Sequence, residues 1–323
     1  MPGRAVPISF SSLSRTSMIS VAETPTDTEA PPAPRSIPAN AQALLQAVLD
    51  ANQGTRDART RTVLDAMIRH LHAFASEVTL TYEELFKGLD FMVRIGQATG
   101  PRKHEGILLA DILGMATLVL LMDAKAVLAA GGTEPALIGP FWRANQPVRP
   151  NGVRIATDDT AGETLHVKGR VLSLDGTPIA GARIETWQAA PSGLYENQDP
   201  EQEDMNLRAV FETDADGRFW FESVQPSGYG VPTDGPCGEL LALQNRSHMR
   251  PAHLHFIAIA PGHKVLTTQI FDARDPYAYS DAAFGAVGSL LRDFEPDSAG
   301  HFHLDFELRL EPGETRLPTP PLP

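Results

Sequence analysis

Cysteine is almost missing from these 323 residues: Cys237 is the only one, so no disulfide can close within the chain, and a cytoplasmic, reducing compartment is the expected setting. Long apolar runs are missing too. No stretch reaches the roughly 18 apolar residues that a membrane-spanning helix needs. The most apolar segment, Met115 to Met122, lies between Asp111 and Asp123 and reads as a buried helix. Positive charge is scarce, with 27 Lys and Arg against 40 Asp and Glu and a net charge of −13, which argues against nucleic acid or an anionic membrane surface as a partner. No repeat of fixed period occurs. The acidic run Glu196, Asp199, Glu201, Glu203 and Asp204 has neither the spacing nor the glycine of an EF-hand, and reads as a solvated loop. Residues 1–35 are rich in Ser, Thr, Pro and Ala without a continuous apolar core, so they read as a disordered tail rather than a secretory signal, with Met18 an alternative start.

Two regimes of periodicity follow. From 36 to 130 apolar residues recur at helical spacing, as in Ala41, Leu44, Leu45, Val48 and Leu49, and in Val63, Leu64, Met67, Ile68 and Leu71. A capping box at Thr81-Tyr82-Glu83-Glu84 opens a third helix, which Gly96 or Gly100 ends, and a fourth is expected to run unbroken from Ile107 to Val127. After Gly131 and Gly132 the prolines 135, 140, 147 and 150 mark a linker. Then alternation with a period of two sets in: Leu165 to Val171, Ala182 to Thr186, Arg208 to Glu212, Phe219 to Phe221, Leu254 to Ile257 and Phe302 to Leu308, with turns at Asp175-Gly176 and Asp216-Gly217. The fold class expected is α+β: a helical region over 36–130, an antiparallel β-sandwich over 131–312 and a Pro-rich tail over 313–323.

The chemistry gathers in Arg250-Pro251-Ala252-His253-Leu254-His255, with Tyr195 and Tyr229 upstream. On a strand, His253 and His255 at i and i+2 project from one face, where both imidazoles can meet a metal. Two phenolates beside them are hard, anionic oxygens, and a set of two tyrosines and two histidines suits a ferric ion, Fe(3+), better than Fe(II) or zinc. Two other readings stand beside this one. Tyrosine and histidine also serve as hydrogen-bonded packing residues of a metal-free, transthyretin-like binding sandwich, and the two histidines with a carboxylate make an Fe(II) site. His301-Phe302-His303 repeats the spacing without tyrosine companions and reads as a solvated strand face. Cys237, with no base at a recognisable spacing, reads as an inert buried thiol.

The segments Ile184 to Ala190, Gly193-Leu194-Tyr195, Gly228-Tyr229-Gly230-Val231-Pro232, Gly235-Pro236 and Arg250 to His255 follow one another as in the intradiol ring-cleavage dioxygenases, which the chain resembles from about Ser36 to Leu310. The resemblance implies a non-haem Fe(3+) held by Tyr195, Tyr229, His253 and His255. Tyr229 would be the axial ligand that a catechol-type substrate displaces and that then takes up a substrate proton; Tyr195 and His253 would be equatorial and His255 axial. Arg250 and Gln269 match residues that border the substrate and stabilise developing negative charge. The implied partners are a small aromatic diol or triol and O2. A homodimer packed through the helical region, with a lipid-like molecule held there, is also implied.

Three places resemble hydroxyquinol 1,2-dioxygenases more than plain catechol enzymes: Leu108 to Gly114, Ile138-Gly139-Pro140-Phe141-Trp142 and Tyr279 to Gly285. They put Leu108, Asp111, Ile138, Gly139, Pro140, Phe141, Val231, Pro232, Ala282 and Ala283 around the substrate. Asp111 offers an acceptor to a third hydroxyl that catechol lacks, and the small Ala282 and Ala283 widen the pocket. Ile138 departs from the aromatic residue common at that position. Hydroxyquinol is therefore the expected substrate, catechol or a chlorocatechol the alternative.

Overall fold

A computed structural model describes residues 37–100 and 103–318. The expected tail over 1–35, with Met18, and the last five residues of the Pro-rich tail lie outside the described residues. Five helices come first: α1 (Ala41–Asn52), α2 (Ala58–Glu77), α3 (Tyr82–Ala98), α4 (Glu105–Ile112) and α5 (Met115–Ala129). Asn40 and Asp57 cap α1 and α2 by accepting from the amides of Ala43 at 2.9 Å and Thr60 at 2.6 Å. Two compact units result, one ending at Thr81 and one starting at Tyr82. The first holds α1 and α2, pinned together by Asn52 and Asp65 at 2.7 Å; α3 to α5 belong to the second, whereas composition changes only after Gly131.

The fourth helix is not continuous. Leu113 caps α4, Gly114 takes a φ of +70°, and α5 leaves at 69° to α4. A left-handed residue ends a helix regardless of apolar content on either side, and glycine adopts it without steric cost. Gly96 lies inside α3 and only Gly100 falls beyond its end.

The strands are β1 (Thr164–Ser173), β2 (Arg183–Trp187), β3 (Arg208–Glu212), β4 (Arg218–Val224), β5 (Tyr229–Gly230), β6 (Met249–Arg250), β7 (His253–Ile259), β8 (Leu266–Asp272), β9 (Leu291–Arg292), β10 (Glu295–Pro296) and β11 (Phe302–Leu310), with α6 (Pro236–Leu243) after β5. One sheet runs β10-β11-β1-β4, the other β3-β2-β7-β8-β9, and β5 pairs with β6 as a separate ribbon. The sandwich is mixed rather than wholly antiparallel: β1 lies parallel to β11 and β8 to β9. Neither pair is a hairpin: β1 and β11 are 129 residues apart and β8 and β9 are 19 apart, each more than the dozen or so residues a parallel crossover needs, so either direction is open.

Alternation fixes what each face does. Leu254, Phe256 and Ala258 of β7 join Leu165, Val167, Phe219, Phe221 and Leu304 in the core between the sheets. His253, His255 and Ile257 therefore point to the outer face of the second sheet. That face is covered. The expected linker lies along β8, with the Ala136 amide donating to Thr267 at 2.9 Å and the Thr268 hydroxyl to Glu134 at 2.8 Å, and the aromatic cluster of Phe141, Trp142, Trp187, Tyr195 and Tyr229 packs over the rest.

Candidate active site

Four side chains converge beneath this cover. Tyr195 Oη lies 3.1 Å from His255 Nε2 and 3.3 Å from Tyr229 Oη, and His253 Nε2 lies 3.2 Å from His255 Nε2. Each residue is at least 93% buried. Bonds of about 2 Å, usual between first-row metals and N or O donors, put neighbouring donors about 2.8 Å apart at right angles and about 3.3 Å at tetrahedral angles. The three observed edges fall in that interval, so the set fits one ion. His253 donates Nδ1–H to the Pro251 carbonyl at 2.7 Å, which leaves Nε2 with its lone pair facing the other donors. Trp187, opposite His255 in the register of β2 and β7, stacks on its ring at 4.6 Å and 9°.

Burial dictates the protonation states. It pushes His253 down to about 3, with Arg250 adding to the effect, and holds His255 far below the usual range. Both imidazoles are neutral and able to donate a lone pair. Burial also holds the Tyr195 phenol well above the usual tyrosine range, with Tyr229 reinforcing it; a multivalent cation at this point supplies the opposite push. Among the described residues no three His, Cys, Asp or Glu side chains are placed to hold a metal, so the reading with two histidines and a carboxylate lacks its carboxylate.

Arg250 borders the set. It pairs with Tyr229 across the β5–β6 ribbon, and its Nη1 lies 3.4 Å from His253 Nε2. Burial opposes its charge, but Asp281 overrides burial and keeps the guanidinium firmly protonated. Gln269, opposite His255 on β8, accepts from Arg250 Nη2 at 3.0 Å and donates to the Leu137 carbonyl, so it joins strands and orients Arg250 at once.

Asp111 sits on α4, 6% exposed, and its carboxylate has no hydrogen-bond partner among the described residues. Burial pushes it up to about 7, with Arg250 opposing and Asp281 adding. Leu108, on the same helix, packs with Ile95, Ile112, Val231 and Cys237. Gly139, at φ +71°, brings the backbone against His255: a Cβ there would lie 3.3 Å from Cε1. Phe141 stacks on Tyr195 at 4.6 Å, and Ile138 packs beside them. The wall residues do not share one cavity. Phe141, Val231 and Pro232 line one of about 740 Å³ with Lys103 and His248, while Ala282 lines another of about 490 Å³ with Arg246, Asp281 and Phe284. Leu108, Asp111, Ile138, Gly139, Pro140 and Ala283 line neither.

Some expectations change. Glu196 is no part of a solvated loop: it is 7% exposed, with Arg208 Nε on one oxygen and Arg143 Nη1 on the other, both at 2.7 Å. Arg208, 1% exposed, lies 5.9 Å from the Tyr195 ring centre. A buried Arg–Glu pair 12 residues apart leaves no local pattern, so sequence reading missed it. It missed Asp281 as well, though that residue lies in a segment singled out for its neighbours. Cys237 is a buried thiol that burial pushes up to about 12, and His303 is a half-exposed strand residue paired with Asp297 at 3.1 Å.

With this geometry in view, the known proteins it resembles are informative. Residues 137–312 match the family described as Dioxygenase and residues 57–131 that described as Catechol dioxygenase N terminus, so the class of protein is a dioxygenase. The chain is 40% identical over 269 residues to the 6-chlorohydroxyquinol 1,2-dioxygenase of Cupriavidus pinatubonensis, covering 83% of this chain and 96% of that protein. It is 43% identical over 240 residues to a hydroxyquinol 1,2-dioxygenase of a Rhizobium species, covering 74% and 80%. The crystal structure of hydroxyquinol 1,2-dioxygenase from Pseudomonas putida superposes with a TM-score of 0.77 at 37% identity, over 84% of this chain and 99% of that one. The chain belongs to the intradiol ring-cleavage dioxygenase family.

Proposed function

We propose that this protein opens the ring of hydroxyquinol, 1,2,4-trihydroxybenzene, between the two adjacent hydroxyls, placing both atoms of O2 in the product, 3-hydroxy-cis,cis-muconate, which tautomerises to maleylacetate. Tyr195, Tyr229, His253 and His255 hold a ferric ion. Its chemistry is bidentate attachment of vicinal hydroxyls and activation of the electron-rich ring toward dioxygen.

The protein's own groups divide the remaining work. Tyr195 is the anchor, 1% exposed, stacked on Phe141 and bonded to His255. Tyr229 sits on a two-residue strand outside both sheets and is the phenol free to swing. Its phenol oxygen would be the group that takes up the proton of a substrate hydroxyl. Arg250, with Nη1 toward His253, stabilises negative charge on the substrate, and the aromatic cover keeps bulk water out. The observation that carries the substrate assignment is Asp111: its carboxyl group, 6% exposed and within electrostatic reach of Arg250, makes no hydrogen bond among the described residues, and a third hydroxyl would pair with it where catechol cannot.

A visible spectrum of the iron-loaded protein, recorded anaerobically and then with hydroxyquinol or catechol, tests the proposal. Tyrosinate-to-iron charge transfer gives a wine-red sample whose band shifts with either compound, hydroxyquinol at the lower concentration. A colourless sample with stoichiometric iron overturns the ferric-tyrosinate centre; equal half-saturation for both compounds overturns the substrate.

A further inference from the structure

Asp281 is the most heavily used carboxylate in the second unit. Its side chain is 3% exposed. Oδ1 accepts from Arg250 Nε and the Ala283 amide, both at 3.0 Å; Oδ2 accepts from Arg250 Nη2 at 3.1 Å, the Gly285 amide at 2.9 Å and the Ala286 amide at 3.0 Å. Five donors meet a group with about four lone-pair positions, so both oxygens are saturated. Two structures depend on it. The guanidinium fork is fixed bidentately, and Nη2 is shared with Gln269, which leaves Nη1 as the nitrogen toward His253. The turn that carries Ala282 and Ala283 wraps its amides around the same carboxylate, with Phe284 at φ +54°. The Ala282 amide ties this turn to Met249, and Arg246 donates to the Ala282 carbonyl at 2.9 Å.

Gly285 lets the turn come this close. A Cβ there would lie 2.8 Å from Arg250 Nη2, 3.1 Å from Leu137 Cδ1 and 3.3 Å from Asp281 Oδ2. Arg250 acts electrostatically on two carboxylates, Asp111 and Asp281, yet only Asp281 bonds it. Asp281 and Gln269 take up Nε and Nη2, and no hydrogen bond joins Nη1 to Asp111.

We infer that Asp281 is a positioning residue for specificity: by occupying the fork of Arg250 it aims Nη1 at the ligand face, clamps the Ala282–Ala286 turn, and leaves Asp111 unpaired for the third hydroxyl of the substrate. This rests on the proposed hydroxyquinol activity. Loss of the Asp281 charge frees Arg250 to pair with Asp111, which removes the acceptor on which the preference depends.

The test compares Asp281→Asn, Asp281→Glu and Gly285→Ala in the full-length, iron-loaded protein. Asp281→Asn keeps the size but offers one acceptor oxygen. It is expected to lower kcat/KM on hydroxyquinol about 100-fold and to shift the hydroxyquinol-to-catechol ratio at least tenfold toward catechol, while the charge-transfer band and iron content persist. The ratio should not fall further in Asp281→Asn with Asp111→Asn, because the acceptor is already occupied. Asp281→Glu restores the charge and part of the ratio. Should Asp281→Asn not fold, Gly285→Ala displaces the guanidinium by contact and is expected to shift the ratio the same way. Hydrogen exchange gives a readout apart from turnover: the amides of Ala283, Gly285 and Ala286 exchange faster in Asp281→Asn. Coloured, folded variants with a ratio within twofold of the unmodified protein overturn the role of Asp281. A colourless unmodified protein instead overturns the ferric centre, and the exchange rates then still decide whether Asp281 clamps the turn.

Discussion

Asp111 concentrates the consequences of single residues. Its carboxyl ionises near 7 in the folded chain against 3.8 when free, so between those values the folded state holds a proton that the unfolded state has released. Its contribution to stability therefore falls as pH rises across that window, opposite in sign to that of His253 and His255, which burial keeps neutral. In metal-free protein Asp111→Asn should remove this contribution, so that thermal stability gains more between pH 5 and pH 8 than in the unmodified protein; an unchanged gain means that Asp111 is ionised throughout. The same substitution should cost roughly tenfold in discrimination for hydroxyquinol over catechol, as for one buried hydrogen bond. Glu196 is a second case. With Arg208 at 2.7 Å and both buried, Glu196→Gln leaves a buried cation and is expected to cost about 3–5 kcal/mol in a urea titration; a loss under about 1 kcal/mol would mark the pair as solvated. How far such residues could be read in advance depends on spacing. The i, i+2 histidines were legible because a strand converts that spacing into one face. Glu196 and Asp281 were not, since their partners Arg208 and Arg250 are 12 and 31 residues away and only the folded turns bring them together.

At the level of elements, periodicity predicted type well and continuity poorly. The apolar run from Ile107 to Val127 gives no hint of a break, because α4 and α5 are both apolar on several sides; the signal was Gly114 alone, which also occurs inside ordinary helices. Gly114→Ala is expected to cost about 1–2 kcal/mol in chemical denaturation, the penalty for a side chain at positive φ. No loss would mean that the α4–α5 junction relaxes without strain. Strand direction was also hidden, since β1 and β11 alternate equally well in either orientation. The supposed linker carries more than its prolines suggested. Gly139 combines positive φ with a Cβ position 3.3 Å from His255, so Gly139→Ala should strain the backbone by a similar amount and also move an imidazole. The second effect is separable: iron content and the charge-transfer band change in Gly139→Ala and stay constant in Gly114→Ala.

For the molecule as a whole, the exposed apolar face of α2 has the widest consequence. Val63, Met67, Leu71 and Phe74 recur at i, i+4, i+8 and i+11, and each remains about half exposed, which forms one apolar stripe beside the half-buried Leu64 and Ile68. Two copies joined through this stripe bury eight such side chains. At about 1 kcal/mol for the exposed half of each, the gain is about 8 kcal/mol, against an association cost of about 4–15 kcal/mol. A dimer held there stands close to balance unless neighbouring apolar residues such as Leu44 contribute, so two charges in the stripe should be decisive. Sedimentation of the unmodified protein is expected to give about 70 kDa, twice the 34.9 kDa chain, and Met67→Glu with Leu71→Glu about half of that. Because these positions belong to the unit before Tyr82 and the four proposed metal donors all lie after it, the colour and the substrate preference proposed above should persist in the monomer. A double variant that still sediments as a dimer places the subunit contact elsewhere than on α2.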